Sequence, residues 1–221
     1  MIRSRFMKCI PLFALLLSAT TVRSQTLDWG NEVFGNVRDS GGEALTNAFV
    51  FELGAFASGF TPTSANVDQW MDNWHVFDRA TYNESLGYFA SSVQMTPDGG
   101  SNSPWLTPGS GSFEGLEAFI FIRNGDLPVP FTEWLLARAS TWIFPTADPD
   151  CCPSGLPTQW AVSDMDDESP VWGAQDGIQG GGIVGNPSPY GLQTHTFVPE
   201  PTAFMLFALG GLTVAARRRR L

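Results

Sequence analysis

Apolar and polar positions alternate in short runs along most of this chain, and glycine, proline and asparagine interrupt the runs. Ala48 to Phe56 puts Phe49, Phe51, Leu53 and Ala55 on one face, the period of a strand. Leu86 to Met95, Leu116 to Arg123, Gln159 to Ser163 and Gln193 to Val198 read as further strands, and Leu27 to Val37 alternates loosely. Glu133 to Ala139 and Thr141 to Phe144 are also predicted as strands, although the first also suits a helical turn. Asp39-Ser40-Gly41-Gly42 and Asn124-Gly125 are turn signals. Thr96 to Gly115 and Thr146 to Pro157 read as loops, and Asp164 to Pro189 is acidic and then glycine-rich, with little periodicity.

One stretch has a different period. Val67, Trp70, Met71, Trp74 and Phe77 recur at helical spacing, with Asp68, Asp72, Asn73 and His75 mostly on the other side. This predicts an amphipathic helix, with Ser64 or Asn66 as its cap. The expected fold is therefore mainly β, an antiparallel sandwich-like domain carrying one amphipathic helix.

The two ends depart from this pattern. Residues 1–24 have a basic start (Arg3, Arg5, Lys8), an apolar run from Ile10 to Ala19, and small side chains before Gln25. That is the layout of a cleaved secretory signal peptide. The run is too short to favour an uncleaved anchor. Cys9 precedes the apolar run, which argues against a lipoprotein.

At the other end, Val198-Pro199-Glu200-Pro201 leads into a charge-free run, Thr202 to Ala216, and then into Arg217, Arg218, Arg219 and Arg220. As a helix, these fifteen residues span roughly 22 Å, short of the roughly 30 Å hydrocarbon core of a bilayer. Snorkelling arginine stems extend the reach. Four adjacent arginines stay on the cytoplasmic side, which places the preceding domain across the membrane. A plain C-terminal anchor is the simpler reading. A soluble terminal helix fits poorly with four arginines closing an apolar run.

The order of these three parts resembles the PEP-CTERM protein-sorting signal: Pro199-Glu200-Pro201, an apolar run containing Gly210-Gly211, then Arg217 to Arg220. The resemblance covers residues 198–221 and says nothing about the activity of the body. It implies recognition by an exosortase, a membrane-embedded cysteine transpeptidase. It also implies transient residence in the inner membrane, cleavage near the motif, and release or attachment outside the cell. Exopolysaccharide, which bacteria with this system typically make, is an implied neighbour. The expected division is a signal peptide at 1–24, an exported β-rich domain at 25–197 and the sorting segment at 198–221.

Charge supports an extracellular body. Its 21 acidic residues face only Arg38, Arg79, Arg123 and Arg138, a net charge of −17 without a lysine. That argues against nucleic acid or an anionic membrane as partner. It suits solubility, and secondarily contact with divalent cations. Only Cys151 and Cys152 remain after the leader. They are adjacent, and a vicinal ring, free thiols and intermolecular pairing all stay open.

The body offers few candidates for chemistry. Asp164, Asp166, Asp167 and Glu168 crowd four carboxylates together, an oxygen-rich set of the kind calcium takes. The EF-hand pattern fails at Ser169 and Gln175, so a solvated acidic loop is the plainer reading. Gly180 to Gly185 fits a dinucleotide fingerprint, but Pro187 and Pro189 forbid the helix it needs. His75 and His195 are the only histidines, and neither belongs to a triad or metal spacing. Glu117 and Glu133 lie in or beside strands, compatible with a glycosidase pair but unspecific. No cofactor is implied. All eight tryptophans fall in the body, and core packing is the plainer reading for most of them. Trp105 and Trp172 sit in polar loops and are the candidates for stacking on a sugar ring. The sequence thus favours a non-catalytic surface or matrix protein. A carbohydrate-binding module is the alternative, and a secreted hydrolase has no supporting motif.

Overall fold

The computed structural model describes residues 25–33, 36–146, 157–165 and 168–197. The predicted leader, residues 198–221, Cys151 and Cys152, and Asp166 and Asp167 lie outside them. In chain order the strands are β1 (Gln25–Gly30), β2 (Val37–Arg38), β3 (Val50–Phe56), β4 (Trp74–Asn83), β5 (Tyr88–Met95), β6 (Phe119–Arg123), β7 (Glu133–Ala137), β8 (Thr158–Ala161), β9 (Ala174–Gln175), β10 (Ile178–Gln179), β11 (Leu192–Gln193) and β12 (His195–Thr196). Among the described residues one short α-helix occurs, α1 (Trp70–Asn73), and it precedes β4. The protein is mainly β, as the alternation predicts.

Eight strands form one sheet in the order β12-β7-β6-β3-β4-β5-β1-β8. A second, four-stranded sheet runs β10-β9-β11-β2. Most pairings are antiparallel, but β1–β8 and β2–β11 are parallel, which the antiparallel expectation did not include. The long strand β4 links two parts of the large sheet. Residues 74–80 pair with β3, and 81–83 pair with β5.

The large sheet is buried on both faces. Leu27, Phe51, Leu53, Phe77, Phe89, Ile120, Ile122 and Leu135 point into the larger core. Their strand neighbours Phe56, Trp74, Phe119, Phe121, Trp134 and Leu136 point the other way, into a second cluster with Trp70, Trp172 and Phe197. Burying one such side chain contributes about 1.5–3 kcal/mol. This explains why β6, FIFIR, has no polar face: every one of its residues is buried.

The predicted helix is cut short. A 3-10 turn at Val67–Gln69 and the single turn of α1 end at Asn73, and Trp74 begins a ten-residue strand. Asn66 occupies the cap position, yet its side chain accepts from Thr63 N and from Trp70 Nε1 rather than capping the turn. Helical spacing puts Trp74 and Phe77 on one face, but in the structure they enter opposite cores. A register shift opposite Leu53 and Gly54 inserts a residue into β4 and brings Phe77 and Asp78 to the same side. Asp78 there accepts from Trp29 Nε1 at 2.9 Å. Thr141 to Phe144 is not a strand; Ile143 makes one bridge to Glu117. Gln159 to Ser163 becomes β8 followed by a 3-10 turn at Val162–Met165.

Candidate functional site

Two features stand out on the sheet: a buried charge cluster, and the edge at which the described chain stops. The charge cluster is built on β3. Glu52 is fully buried, on the face of the second core. Its Oε1 accepts from Arg79 Nη2 at 2.5 Å and its Oε2 accepts from Arg123 Nη2 at 2.9 Å. Trp74 Nε1 donates to Oε2 as well, at 2.9 Å. The register makes this meeting inevitable, because Glu52 lies opposite Arg79 on β4 and opposite Phe121, two residues before Arg123, on β6. Three donors on its two oxygens, together with full burial, make this carboxylate a structural tie.

Arg79 has a second role. Its guanidinium lies 4.2 Å from the ring centroid of Trp105. Trp105 is 51% exposed, in a loop pinned where Thr107 Oγ1 accepts from Val76 N and Thr107 N donates to Val76 O. Of the eight tryptophans, the other seven are buried, which fits the core-packing expectation. Trp172 is among them, and this corrects the reading of it as a surface stacking residue. Its ring stacks on Phe197 at 4.3 Å and meets Trp70 edge-on at 6.3 Å, so no face is open to a pyranose. Loop composition predicted exposure, but the tertiary contacts fold that loop over the sheet.

The edge strand β12 carries the chain to the last described residue. His195 and Thr196 pair with Trp134 and Glu133 of β7, and Ile183 bridges Thr196 from the other side. Phe197 N donates to Thr132 O at 3.1 Å, and Phe131 N donates to Phe197 O at 3.3 Å. The Phe197 ring also meets Trp134 edge-on at 4.9 Å. The chain is therefore clamped by backbone bonds and two indoles at Phe197. Glu133 braces the same edge, accepting from Ser40 N, Ser40 Oγ and Thr194 Oγ1. His195 is buried, and its Nδ1 donates to Gly181 O at 2.7 Å. Burial holds its imidazole below the ordinary value, against the opposing pull of the Gly181 carbonyl and the Glu133 charge.

The remaining candidates do not converge. Ile120 pairs with Ala137, so Glu117 and Glu133 sit toward opposite ends of the β6–β7 pair. About seven residues of strand separate them, roughly 23 Å, far beyond the spacing of a glycosidase pair. Glu117 instead pairs with Arg138. Asp164 Oδ2 accepts from Trp142 Nε1 and from Ala161 N, while Glu168 Oε1 accepts from Ser140 N. Each of these carboxylates thus has its own local donor. Among the described residues no cluster of metal-ligating side chains occurs. A shallow depression of about 580 Å³ lies over β1, β5 and β8, lined by Asp28, Asn31, Glu32, Ser92, Gln159 and Trp160.

Sequence reasoning missed the Glu52 cluster and the clamp at Phe197. A glutamate at a core-facing position of an otherwise apolar strand was the available signal for the first. No local signal marked the second, which depends on chain segments far apart in sequence.

Residues 197–220 match the PEP-CTERM protein-sorting motif. The chain therefore carries the sorting signal recognised by exosortases, as the resemblance implied. No curated protein and no solved structure matches the chain.

Proposed function

We propose that this protein is an exported, non-catalytic component of the bacterial surface or extracellular matrix. In this reading residues 202–216 hold the precursor in the inner membrane, with Arg217 to Arg220 on the cytoplasmic face. An exosortase then cuts near Pro199-Glu200-Pro201 and frees the body. One observation carries the reading. The matched motif begins at Phe197, a residue that backbone bonds and aromatic stacking hold against the sheet edge. Cleavage beyond that point leaves every described strand and both described core clusters intact, as a disposable sorting segment requires. The strongly acidic body suits solubility once released. Changing Glu200→Ala in the native host tests this: the variant is expected to stay membrane-bound at precursor length. Normal processing of the variant would refute recognition through the motif.

A second reading, a carbohydrate-binding body in an exopolysaccharide matrix, is favoured by Trp105. Its exposed indole is held in place by Arg79, the preset aromatic surface that sugar rings stack on. Binding on a glycan array that disappears in Trp105→Ala would support it, and an array without binding would remove it.

A further inference from the structure

The loop joining β6 to β7 reads Asn124-Gly125-Asp126-Leu127-Pro128-Val129-Pro130-Phe131-Thr132. Leu127, Val129 and Phe131 are 65%, 46% and 88% exposed. Exposed apolar side chains are ordinary when scattered, but three in one loop make a patch. Phe131 is also strained. Thr132 N donates to Val129 O, closing a turn with Pro130 in its second position. Phe131 in the third position has φ 69°, where glycine or asparagine is the usual residue. A bulky ring is thus held in a left-handed conformation while gaining no packing from the fold. Strain of this kind marks a residue retained for something other than stability.

The patch sits where the sorting segment leaves the body. Phe131 N donates to Phe197 O, Pro130 bridges Phe197, and the exposed Ile183 flanks Thr196 on the opposite side. The apolar run begins at Thr202, five residues beyond Phe197. Even fully extended, those five residues reach at most about 18 Å. While the run is in the bilayer, the loop cannot leave the neighbourhood of the membrane surface.

We infer that Leu127, Val129 and Phe131 insert into the outer face of the inner membrane while the precursor is anchored. This rests on the proposed membrane residence of residues 202–216. The occupant is the lipid interface itself, and zwitterionic lipid in particular, because the body's charge of −17 opposes anionic headgroups. Three side chains bind weakly on their own, and the tether supplies the high local concentration that keeps them inserted. Cutting the tether releases them. Docking also sets the orientation in which residues 198–201 meet a membrane-embedded enzyme.

The test uses the full chain reconstituted in phosphatidylcholine vesicles, with Cys9, Cys151 and Cys152 changed to serine. An environment-sensitive fluorophore is placed singly by Phe131→Cys, Ser58→Cys or Phe207→Cys. Ser58 follows the far end of β3 and is the aqueous control. The expected result is a blue-shifted emission at 131 and 207, quenched severalfold more by nitroxide lipid than at 58. With the probe moved to Val129→Cys, adding Phe131→Asn is expected to reduce that quenching. If 207 lies in lipid while 131 is as open to aqueous iodide as 58, the docking inference is wrong and anchoring stands. If 207 itself reports water, the anchoring reading fails and docking fails with it. Replacing part of the lipid with phosphatidylglycerol is expected to weaken the signal at 131; a stronger signal would overturn the preference for zwitterionic lipid.

Discussion

The ring of Phe197 stacks on the indole of Trp172 with their centroids 4.3 Å apart and their planes 23° from parallel. This contact ties Phe197, where the matched sorting motif begins, into the body. It also explains why both residues belong to one aromatic cluster with Trp70 and Trp134. Removing the indole leaves a cavity against Phe197 and Trp70, so Trp172→Ala is expected to cost about 3–5 kcal/mol. Urea denaturation measures it. A loss below about 1 kcal/mol would mean that Trp172 is not part of the core.

The tie at Glu52 makes a different kind of prediction. Glu52→Gln leaves the buried Arg123 facing a neutral partner, since its other carboxylate, Asp126, is largely exposed. The expected destabilisation is about 3–5 kcal/mol. Adding Arg123→Met removes a buried charge left with only the exposed Asp126 as its partner, and is expected to recover part of that loss. A double variant no more stable than the single one would show that the pair is not coupled in this way.

Much of this was visible in the pattern of residues, and the exceptions have identifiable causes. The cores of β3, β5 and β6 follow from their own alternation or apolar runs, because a strand buried against a sheet records its environment locally. Trp70, Trp74 and Phe77 misled, since a short helical turn followed by a bulged strand reproduces the i, i+4, i+7 spacing of one helix. The β9–β10 hairpin was overlooked within a glycine-rich stretch. Its turn, Asp176-Gly177, has φ of 44° and 81° and was the readable signal. Burial of Trp172 could not be read, because the residues covering it come from the 66–74 region and from position 197. The sorting motif was fully legible, being a linear signal that depends on residue order and not on folding.

Phe131 should respond in the opposite sense to a core residue. Asparagine tolerates its left-handed backbone better than phenylalanine does. Phe131→Asn is expected to raise the stability of the folded chain by up to about 1 kcal/mol while weakening membrane contact. Thermal unfolding checks the first part. A fall in midpoint would show that the exposed ring packs on something within the fold.

Acid should loosen the edge that carries the sorting segment. Free imidazole has a pKa of 6.5, and burial lowers that of His195 in the fold. Below about pH 6.5 the unfolded chain therefore takes up a proton that the folded chain resists, and stability falls as pH drops toward the folded value. Above that range the group contributes no slope. His195→Gln removes the titration, so the stability difference between about pH 7.5 and pH 5 is expected to be smaller in the variant than in the native chain. Parallel losses in both would rule out His195 as a source of acid sensitivity.

The C-terminal residue of the processed protein tests the central reading most directly. Intact-mass analysis of protein recovered from the native host is expected to show a body that keeps Phe197 and has lost Arg217 to Arg220, with its end near Pro199-Glu200-Pro201. A mature species that retains the four arginines, or one cut ahead of Phe197, would contradict it.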